Sequence, residues 1–220
     1  MGAREEILAR VRSATADVTT ESRLDATSRR SEGRVPAGRR NPSEETVELF
    51  AENVADYEAT VVRVPADAVA EAIVEQLRSL GRRSVVTPSG LDAGWVDALR
   101  GEFEVVAETD ATSAQALDVI DAVVTAAAVG IATTGTIVLD HAPDQGRRAL
   151  TLVPDTHVCV IREDQIEHDV PEAVTRLHAE AAHARPLTWI SGPSATSDIE
   201  LQRVEGVHGP RTLVVVIAGA

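Results

Sequence analysis

The chain has 220 residues, of which 44% are hydrophobic and 25% charged, a composition typical of a water-soluble globular protein with one ordinary core. Its formal net charge of −14 argues against nucleic acid as a partner, because a phosphate backbone repels an acidic surface. No apolar run reaches the roughly 20 residues that span a bilayer, and the first residues, Met-Gly-Ala-Arg-Glu-Glu, lack the apolar segment of a secretory signal, so we expect a cytoplasmic protein with no membrane span.

The N-terminal part of the chain differs in composition from the rest. Residues 4–13 are predicted to form a helix, in which Glu6 and Arg10 lie one turn apart. Residues 14–40 hold few apolar side chains and many of Ser, Thr, Arg, Gly and Pro, which indicates a flexible arm. Five arginines against one acidic residue over positions 29–40 leave two interpretations, a solvated tether or an arm that docks on an acidic neighbour.

The next part of the chain alternates between the period of a helix and that of a strand. Helices are predicted over about 41–55, 66–80, 92–100 and 114–117, and strands over 60–64, 84–87, 103–106 and 122–124. Asn41 is the expected N-cap of the first helix, because Pro42 and an acidic turn follow it. The alternation predicts right-handed crossovers between parallel strands, with helices packed on the sheet.

The remaining residues carry further apolar runs separated by polar loops. Strands are predicted over 136–139, 157–161, 187–190 and 213–217, helices within 163–183 with a break near Pro171, and an apolar run covers 150–153. The unbroken Leu-Val-Val-Val-Ile of the last strand indicates burial on both faces of a sheet. We therefore predict an α/β fold over residues 45–220, a three-layer α/β/α sandwich with a mainly parallel sheet, preceded by a helix and flexible arm over residues 1–44.

A turn of threonines and glycine before predicted strand 136–139 forms the first candidate site, together with a pair of arginines further on. Glycine lets a ligand approach the backbone, hydroxyl groups donate hydrogen bonds, and guanidinium groups bind a carboxylate or phosphate with two bonds. The pattern predicts a pocket for a small anionic metabolite, and the alternative is a hairpin turn followed by a solvated loop. The candidate ligand-binding residues here are Thr133, Thr134, Gly135, Thr136, Arg147 and Arg148.

A second group of candidates follows predicted strand 187–190. Ligands of open α/β sheets usually lie beyond the carboxyl ends of strands, so both loops qualify. Residues 197–200 have the spacing of a capping box, and they either start a short helix or bind an anion at its N-terminus. His208 is a candidate general acid or base, because imidazole titrates near neutral pH, although a loop histidine more often only hydrogen-bonds its surroundings. The ligand-binding candidates of this group are Ser191, Gly192, Ser194, Asp198 and Arg211.

The residue types present exclude several kinds of cofactor. Lysine is absent, which removes a Walker-type phosphate site and a pyridoxal Schiff base. Cys159 is the only cysteine, so this chain alone cannot supply the thiolates of an iron–sulfur cluster, and its place between Val158 and Val160 predicts a core position. His178 and His183 are five residues apart and miss the spacing of a helical metal site. We predict no metal site and no bound cofactor, with any electron transfer left to another protein.

Four motifs in the second half of the chain carry a family resemblance. They are Val129–Leu139, Gly146–Pro154 followed by His157-Val158, Ile190–Ser194 with Thr196, and Asp198–Glu200 with Gly206–Arg211. In this order they resemble the lactate-utilisation (LUD) domain family, over about residues 45–218. The resemblance implies the fold shared by CoA-transferases and the ribose- and glucosamine-phosphate isomerases. One position departs from the family pattern, since Thr133 stands where the family usually carries glutamate.

The resemblance leaves three functions to compare. The first is a non-redox subunit that supports oxidation of lactate to pyruvate together with iron–sulfur partner proteins. The second is an enzyme of the CoA-transferase or isomerase kind, which the threonine at position 133 disfavours because covalent CoA transfer needs a carboxylate nucleophile. The third is a module that binds a small hydroxy- or keto-acid. Whether the chain is itself an enzyme stays open at this point.

Overall fold

A computed structural model describes residues 3–14, 42–111, 113–180, 185–196, 204–205 and 208–219. The chain divides into two units, Met1–Gly38 and Arg39–Ala220. In the first unit the structure describes helix α1 (Ala3–Ala14), which has the predicted Glu6–Arg10 ion pair at 3.0 Å. The arm predicted over residues 14–40 falls almost entirely outside the described residues.

The second unit alternates helices and strands as its sequence predicts. In chain order its elements are α2 (Glu44–Asp56), β1 (Thr60–Pro65), α3 (Val69–Ser79), β2 (Ser84–Thr87), α4 (Ala93–Arg100), β3 (Glu104–Ala107), α5 (Ala114–Asp118), β4 (Ala122–Ala126), β5 (Val129–Ile131), β6 (Thr136–Leu139), β7 (Thr156–Arg162), β8 (Ile166–Glu167), α6 (Val170–Glu180), β9 (Thr188–Ile190), β10 (Ala195–Thr196), β11 (Val204–Glu205) and β12 (Thr212–Gly219). Short 3-10 turns cover Ala66–Ala68, Ala132–Thr134, Arg148–Thr151 and Glu163–Gln165.

Six strands form one parallel sheet in the order β1-β12-β7-β4-β2-β3. The last strand, β12, lies between β1 and β7, with Leu213 opposite His157 and Val214 opposite both Thr60 and Val158. Residues 213–218 of β12 are all buried, as the unbroken apolar run predicts.

Helices cover both faces of this sheet and confirm the predicted α/β sandwich. On one face α3 and α4 pack over side chains of β2, β4, β7 and β12. On the other face α2 inserts Val47, Phe50 and Val54 against β7 and β12, while α5 places Leu117 against β2 and β4. Burial of these apolar side chains supplies the main stabilising free energy, at about 25 cal/mol per Å² removed from water. In the described part of the chain, no helix combines the length and apolar character that crossing a bilayer requires.

A second, four-stranded sheet lies on the face that carries α2, in the order β8-β5-β6-β9. Strand β6 pairs antiparallel with both β5 and β9, and β5 pairs parallel with β8. One face of it contributes Ile137 and Leu139 to the core under α2, and the other places Val129, Ile131 and Val138 under α6. The sequence pattern predicts strands at 136–139 and 187–190 without revealing that they leave the parallel sheet.

Some predicted boundaries change for local reasons. The N-cap of α2 is Ser43 rather than Asn41, because the Ser43 hydroxyl accepts the backbone N–H of Thr46 at 3.2 Å. The apolar run 150–153 belongs to a 3-10 turn and the irregular residues after it. The helix predicted from residue 163 starts only at Val170, because residues 163–167 form a 3-10 turn and strand β8.

Candidate functional site

Two of the predicted loops meet at one edge of the small sheet. Because β6 runs antiparallel to β5 and β9, the turn after β5 and the loop after β9 leave that sheet at the same edge. The Thr134 hydroxyl donates to Thr136 Oγ1 at 2.8 Å, and Thr136 Oγ1 lies 2.8 Å from Ser191 Oγ. A chain of three hydroxyl groups therefore joins the two candidate groups that the sequence places 55 residues apart.

The glycines of these two loops pack against the last turn of helix α2. Gly135 has φ +56°, and a Cβ at this position would lie 2.6 Å from the carbonyl carbon of Asn53. Gly192 has φ +81°, and its Cβ would lie 2.6 Å from Tyr57 Cβ. The Asn53 side-chain amide also donates to the Ala132 carbonyl at 2.8 Å. The close approach expected at Gly135 is therefore made by a helix of the same chain, and a ligand at this turn stays a prediction.

A pocket of about 210 Å³ lies beside the hydroxyl chain. It contains five of the predicted site residues, which are Arg148, Ser191, Gly192, Ser194 and His208. Its floor includes His157 and Leu213, each the second residue of a strand in the parallel sheet. The pocket therefore lies at the amino edge of that sheet, so the expectation that a ligand sits beyond the carboxyl ends does not hold for this pocket. This arrangement arises because loops of the small sheet fold over the starts of β7 and β12.

Arg148 is the cation of this pocket. Its Nη1 donates to the Thr151 carbonyl oxygen at 3.0 Å and to Thr151 Oγ1 at 3.2 Å. Among the described residues it forms no ion pair with an Asp or Glu, and partial burial lowers the pKa of its guanidinium. A half-buried positive charge without a carboxylate partner favours an anion as its counterpart.

His157 forms a buried polar part of the pocket floor. The residue is 1% exposed, and Nε2 lies 2.8 Å from the Thr125 hydroxyl. Burial, followed by the nearby charge of Arg148, lowers the pKa of His157 to about 3. The imidazole is therefore neutral at physiological pH and offers a hydrogen bond without a charge.

The loop after β9 and the turn before β12 are tied to each other across the pocket. The Ser194 backbone N–H donates to the Pro210 carbonyl at 2.8 Å, and the His208 backbone N–H donates to Ser194 Oγ at 3.0 Å. His208 is exposed and lines the pocket, which places it at the mouth. The imidazole therefore lies where the pocket meets the solvent.

The other two predicted arginines point elsewhere. Arg211 pairs with Asp155 at 2.7 Å, and Arg147 donates to the Ala111 carbonyl while its Nε lies 3.7 Å from Glu108 Oε1. Both guanidinium groups thus already have acceptors inside the protein. Arg148, rather than Arg147 or Arg211, is the arginine that faces the small pocket.

A wider pocket of about 540 Å³ lies near the carboxyl ends of β2 and β3, and Arg147 lines it. His141 closes one side, because its Nδ1 donates to the Gly146 carbonyl at 2.9 Å and its Nε2 accepts from the Thr188 hydroxyl at 2.9 Å. Arg185 in its wall pairs with Asp140 at 2.5 Å. Arg147 and Arg185 in this wider pocket therefore both have acidic partners. Arg148 lines both pockets.

The remaining predicted residues do not face either pocket. Thr133 is exposed, and its backbone N–H donates to the His168 carbonyl at 3.1 Å. Thr134, Gly135 and Thr136 reach the small pocket only through the hydrogen bond to Ser191. Asp198 lies outside the described residues. No three His, Cys, Asp or Glu side chains lie close enough to hold a metal ion within the part of the chain that is described.

Two residues that line the pocket, Thr151 and His157, were not predicted from the sequence, and neither was Thr125, which contacts His157. The signal available for His157 was a histidine at the start of an otherwise apolar strand, where a polar ring needs a partner. Thr125 gives no such signal, because threonine is common in strands.

Comparison with known proteins places this geometry in a family. The LUD domain family model matches residues 47–218. Lactate utilization protein C of Deinococcus radiodurans is 47% identical over 175 residues, which cover 80% of each chain. The uncharacterised Escherichia coli K12 protein YkgG is 31% identical over 181 residues, covering 77% of this chain and 78% of its own. The crystal structure of a DUF162 family protein from Deinococcus radiodurans matches with a TM-score of 0.68 at 41% identity, covering 84% of this chain and 100% of that one.

The family match begins in α2 and ends in β12, so it covers both sheets and both pockets. The resemblance predicted from the four sequence motifs is confirmed, and the chain belongs to the LUD domain family.

Proposed function

We propose that the small pocket binds a short carboxylate of the lactate or pyruvate type, held by Arg148. The observation that carries this proposal is the half-buried guanidinium of Arg148, which lacks an acidic partner among the described residues. Ser191 and Ser194 add hydroxyl groups to the same wall. A guanidinium and hydroxyl groups together can donate hydrogen bonds to both oxygens of a carboxylate.

The size of the pocket supports a small ligand. Its volume of about 210 Å³ corresponds to roughly seven water molecules at about 30 Å³ each. Drug-sized ligands occupy pockets of about 300–1,000 Å³, so a molecule of only a few heavy atoms suits this one better.

We infer a role in lactate utilisation from the relatives named lactate utilization protein C in Deinococcus radiodurans and Halalkalibacterium halodurans. In this role the chain acts as a cytoplasmic, non-redox subunit beside iron–sulfur partner proteins during oxidation of lactate to pyruvate. Its own single thiol, Cys159, is buried, which supports assigning the electron-carrying groups to partners. His208 at the pocket mouth is the residue proposed to exchange a proton with the bound acid.

The CoA-transferase alternative has less support. Covalent CoA transfer requires a carboxylate nucleophile, and no Asp or Glu is among the described residues that line the small pocket. Thr133, at the position of the family glutamate, is exposed and faces neither pocket. The proposal therefore rests on binding of the acid and leaves CoA chemistry aside.

Calorimetric titration with lactate, pyruvate, acetate and phosphate tests the binding proposal. Arg148→Met keeps the apolar stem and removes the charge, and loss of a charged hydrogen bond of about 1.5–3 kcal/mol predicts roughly 10- to 150-fold weaker binding of the carboxylates. Arg147→Met is the matched control, because the neighbouring guanidinium is already bound to Ala111 and Glu108. Equal affinities in all three proteins would contradict the assignment of the pocket.

A second experiment tests the partner proposal. The purified chain is mixed with the proteins encoded beside its gene, and lactate-dependent reduction of an artificial electron acceptor is measured. We expect reduction only in the mixture, and a smaller rate with the Arg148→Met protein. Full activity of the mixture without this chain would contradict the proposed subunit role.

A further inference from the structure

A chain of buried hydrogen bonds runs from the pocket floor into the parallel sheet. His157 Nε2 lies 2.8 Å from Thr125 Oγ1, the Thr125 hydroxyl lies 3.8 Å from Cys159 Sγ, and Cys159 Sγ lies 3.8 Å from the Ala126 carbonyl oxygen. The residues Thr125, His157 and Cys159 are at most 1% exposed. Water therefore has little access to change their hydrogen bonding.

The last acceptor fixes the direction of the bond at the cysteine end of this chain. The Ala126 carbonyl can only accept, so the Cys159 thiol donates its hydrogen to it. Burial raises the pKa of Cys159 to about 12, so the thiol keeps that hydrogen. The sulfur then accepts from the Thr125 hydroxyl, whose single hydrogen is thereby used. With its hydrogen directed at the sulfur, Thr125 Oγ1 accepts from His157 at 2.8 Å, and this direction assigns the hydrogen of the neutral imidazole to Nε2.

The other ring nitrogen of His157 is left for a ligand. With the hydrogen on Nε2, Nδ1 carries a lone pair and can only accept a hydrogen bond. Nδ1 has no hydrogen-bond partner among the described residues, and His157 lines the pocket that also contains Arg148. Once a ligand fills the pocket, an acceptor left without a partner costs about 1–3 kcal/mol, which favours a ligand that donates to Nδ1.

We propose that this chain of hydrogen bonds makes the pocket selective for small 2-hydroxy acids over the corresponding 2-keto acids. The ligand carboxylate binds Arg148, and its 2-hydroxyl group donates to His157 Nδ1. A keto oxygen at the same place has no hydrogen to donate, so its lone pairs would face the lone pair of His157 Nδ1. Both acceptors would then lack a hydrogen-bond donor. This inference rests on the proposed function, and it adds His157 as the residue that determines specificity and Thr125 and Cys159 as positioning residues.

The test compares affinities for L-lactate, D-lactate and pyruvate by calorimetry in the full chain. In the wild type we expect one lactate enantiomer to bind roughly 5- to 150-fold more tightly than pyruvate, the factor that an unsatisfied buried group of about 1–3 kcal/mol produces. Cys159→Ala removes the acceptor of the Thr125 hydroxyl, which is then free to donate to His157 Nε2. The imidazole hydrogen moves to Nδ1, and the preference for lactate should disappear or reverse.

Cys159→Ser is the matched control, because a serine hydroxyl can also donate to a carbonyl and accept from threonine. It should retain the wild-type tautomer and preference. Nitrogen NMR of ¹⁵N-histidine-labelled protein gives an independent readout, with the hydrogen on Nε2 in the wild type and Cys159→Ser proteins and on Nδ1 in Cys159→Ala. Thermal unfolding establishes that each variant is folded.

The outcomes separate the two proposals. Equal affinity of the wild type for both lactate enantiomers and pyruvate, all weakened by Arg148→Met, would overturn the selectivity and leave the binding function standing. A hydrogen on Nδ1 of His157 in the wild type would also overturn it. If none of the acids binds the wild type, the proposed function and this inference both fail.

Discussion

Gly135→Ala tests whether the central turn is shaped by a ligand or by helix α2. Gly135 has φ +56°, and the added methyl group would lie 2.6 Å from the carbonyl carbon of Asn53 and 2.7 Å from its oxygen. Ordinary contacts between carbon atoms are about 3.5–4.0 Å, so the turn and the helix must separate by about 1 Å. The helix cannot retreat without loss, because its Val47, Phe50 and Val54 are buried in the core that also contains Ala132 and Ile137.

The magnitude follows from two contributions. A left-handed conformation costs an alanine about 1–2 kcal/mol, and overpacking against the helix costs about 1–3 kcal/mol. The sum is roughly 2–5 kcal/mol of unfolding free energy, or about 4–20 °C in Tm for a chain of this size. Gly81→Ala is the control, since Gly81 has φ +67° and nothing within 4 Å of its Cβ position. It should lose only the conformational part, about 1–2 kcal/mol.

Urea unfolding of the wild type and both variants, followed by circular dichroism, measures these differences. We expect Gly135→Ala to be the less stable variant by about 1–3 kcal/mol. If both variants lose the same free energy, the contact with Asn53 does not constrain the turn. If Gly135→Ala is as stable as the wild type but loses ligand binding, the glycine serves a ligand after all.

Three other predictions follow from burial and chain division. The pKa of His157 is about 3 in the folded protein against about 6.5 in the unfolded protein, so the unfolded state binds an extra proton below pH 6.5. The free energy of unfolding therefore falls from pH 6.5 towards pH 3, by up to about 1.4 kcal/mol per pH unit. His157→Gln should flatten this slope in urea titrations, and parallel pH profiles of the two proteins would contradict the buried neutral ring. Removal of residues 1–40 should leave one cooperative thermal transition, because the division at residue 38 and the 61% exposure of Ile7 indicate a small contribution to the core; a lost or broadened transition argues otherwise. Cys159, buried with its pKa raised to about 12, should react with thiol reagents only after unfolding, so rapid labelling of the native protein would refute its burial.

Much of the fold could be predicted because most helices and strands bury one side and expose the other, which leaves a periodic apolar pattern in the sequence. Helix α4 and strand β2 match their predicted residues to within one position, since their apolar spacing changes sharply at each end. Strand β6 shows where this fails. All four of its residues are buried, between α2 on one side and α6 on the other, so its pattern equals that of a strand in the parallel sheet. Only the pairing with β5 and β9 distinguishes the two cases.

The candidate site was predictable by residue type but not by direction. Arg147 and Arg148 are adjacent and chemically identical, and the 3-10 turn that begins at Arg148 decides which one enters the small pocket. Gly135 has the properties expected of a ligand loop, yet its neighbour is the backbone of Asn53, in a helix about 80 residues earlier in the chain. Contacts of such long sequence separation depend on tertiary packing, which local patterns do not contain.

The position of β12 has a consequence for synthesis of the protein on the ribosome. The strand made last among the twelve described lies inside the parallel sheet, between β1 and β7. Until it emerges, β1 has no neighbour in that sheet, and the apolar cores on both sheet faces each lack a central strand. At about 5–20 residues per second, the segment from β1 to β12 takes on the order of ten seconds or more to synthesise. The nascent chain therefore exposes apolar strand edges throughout this interval, which is the period when chaperone binding would matter most.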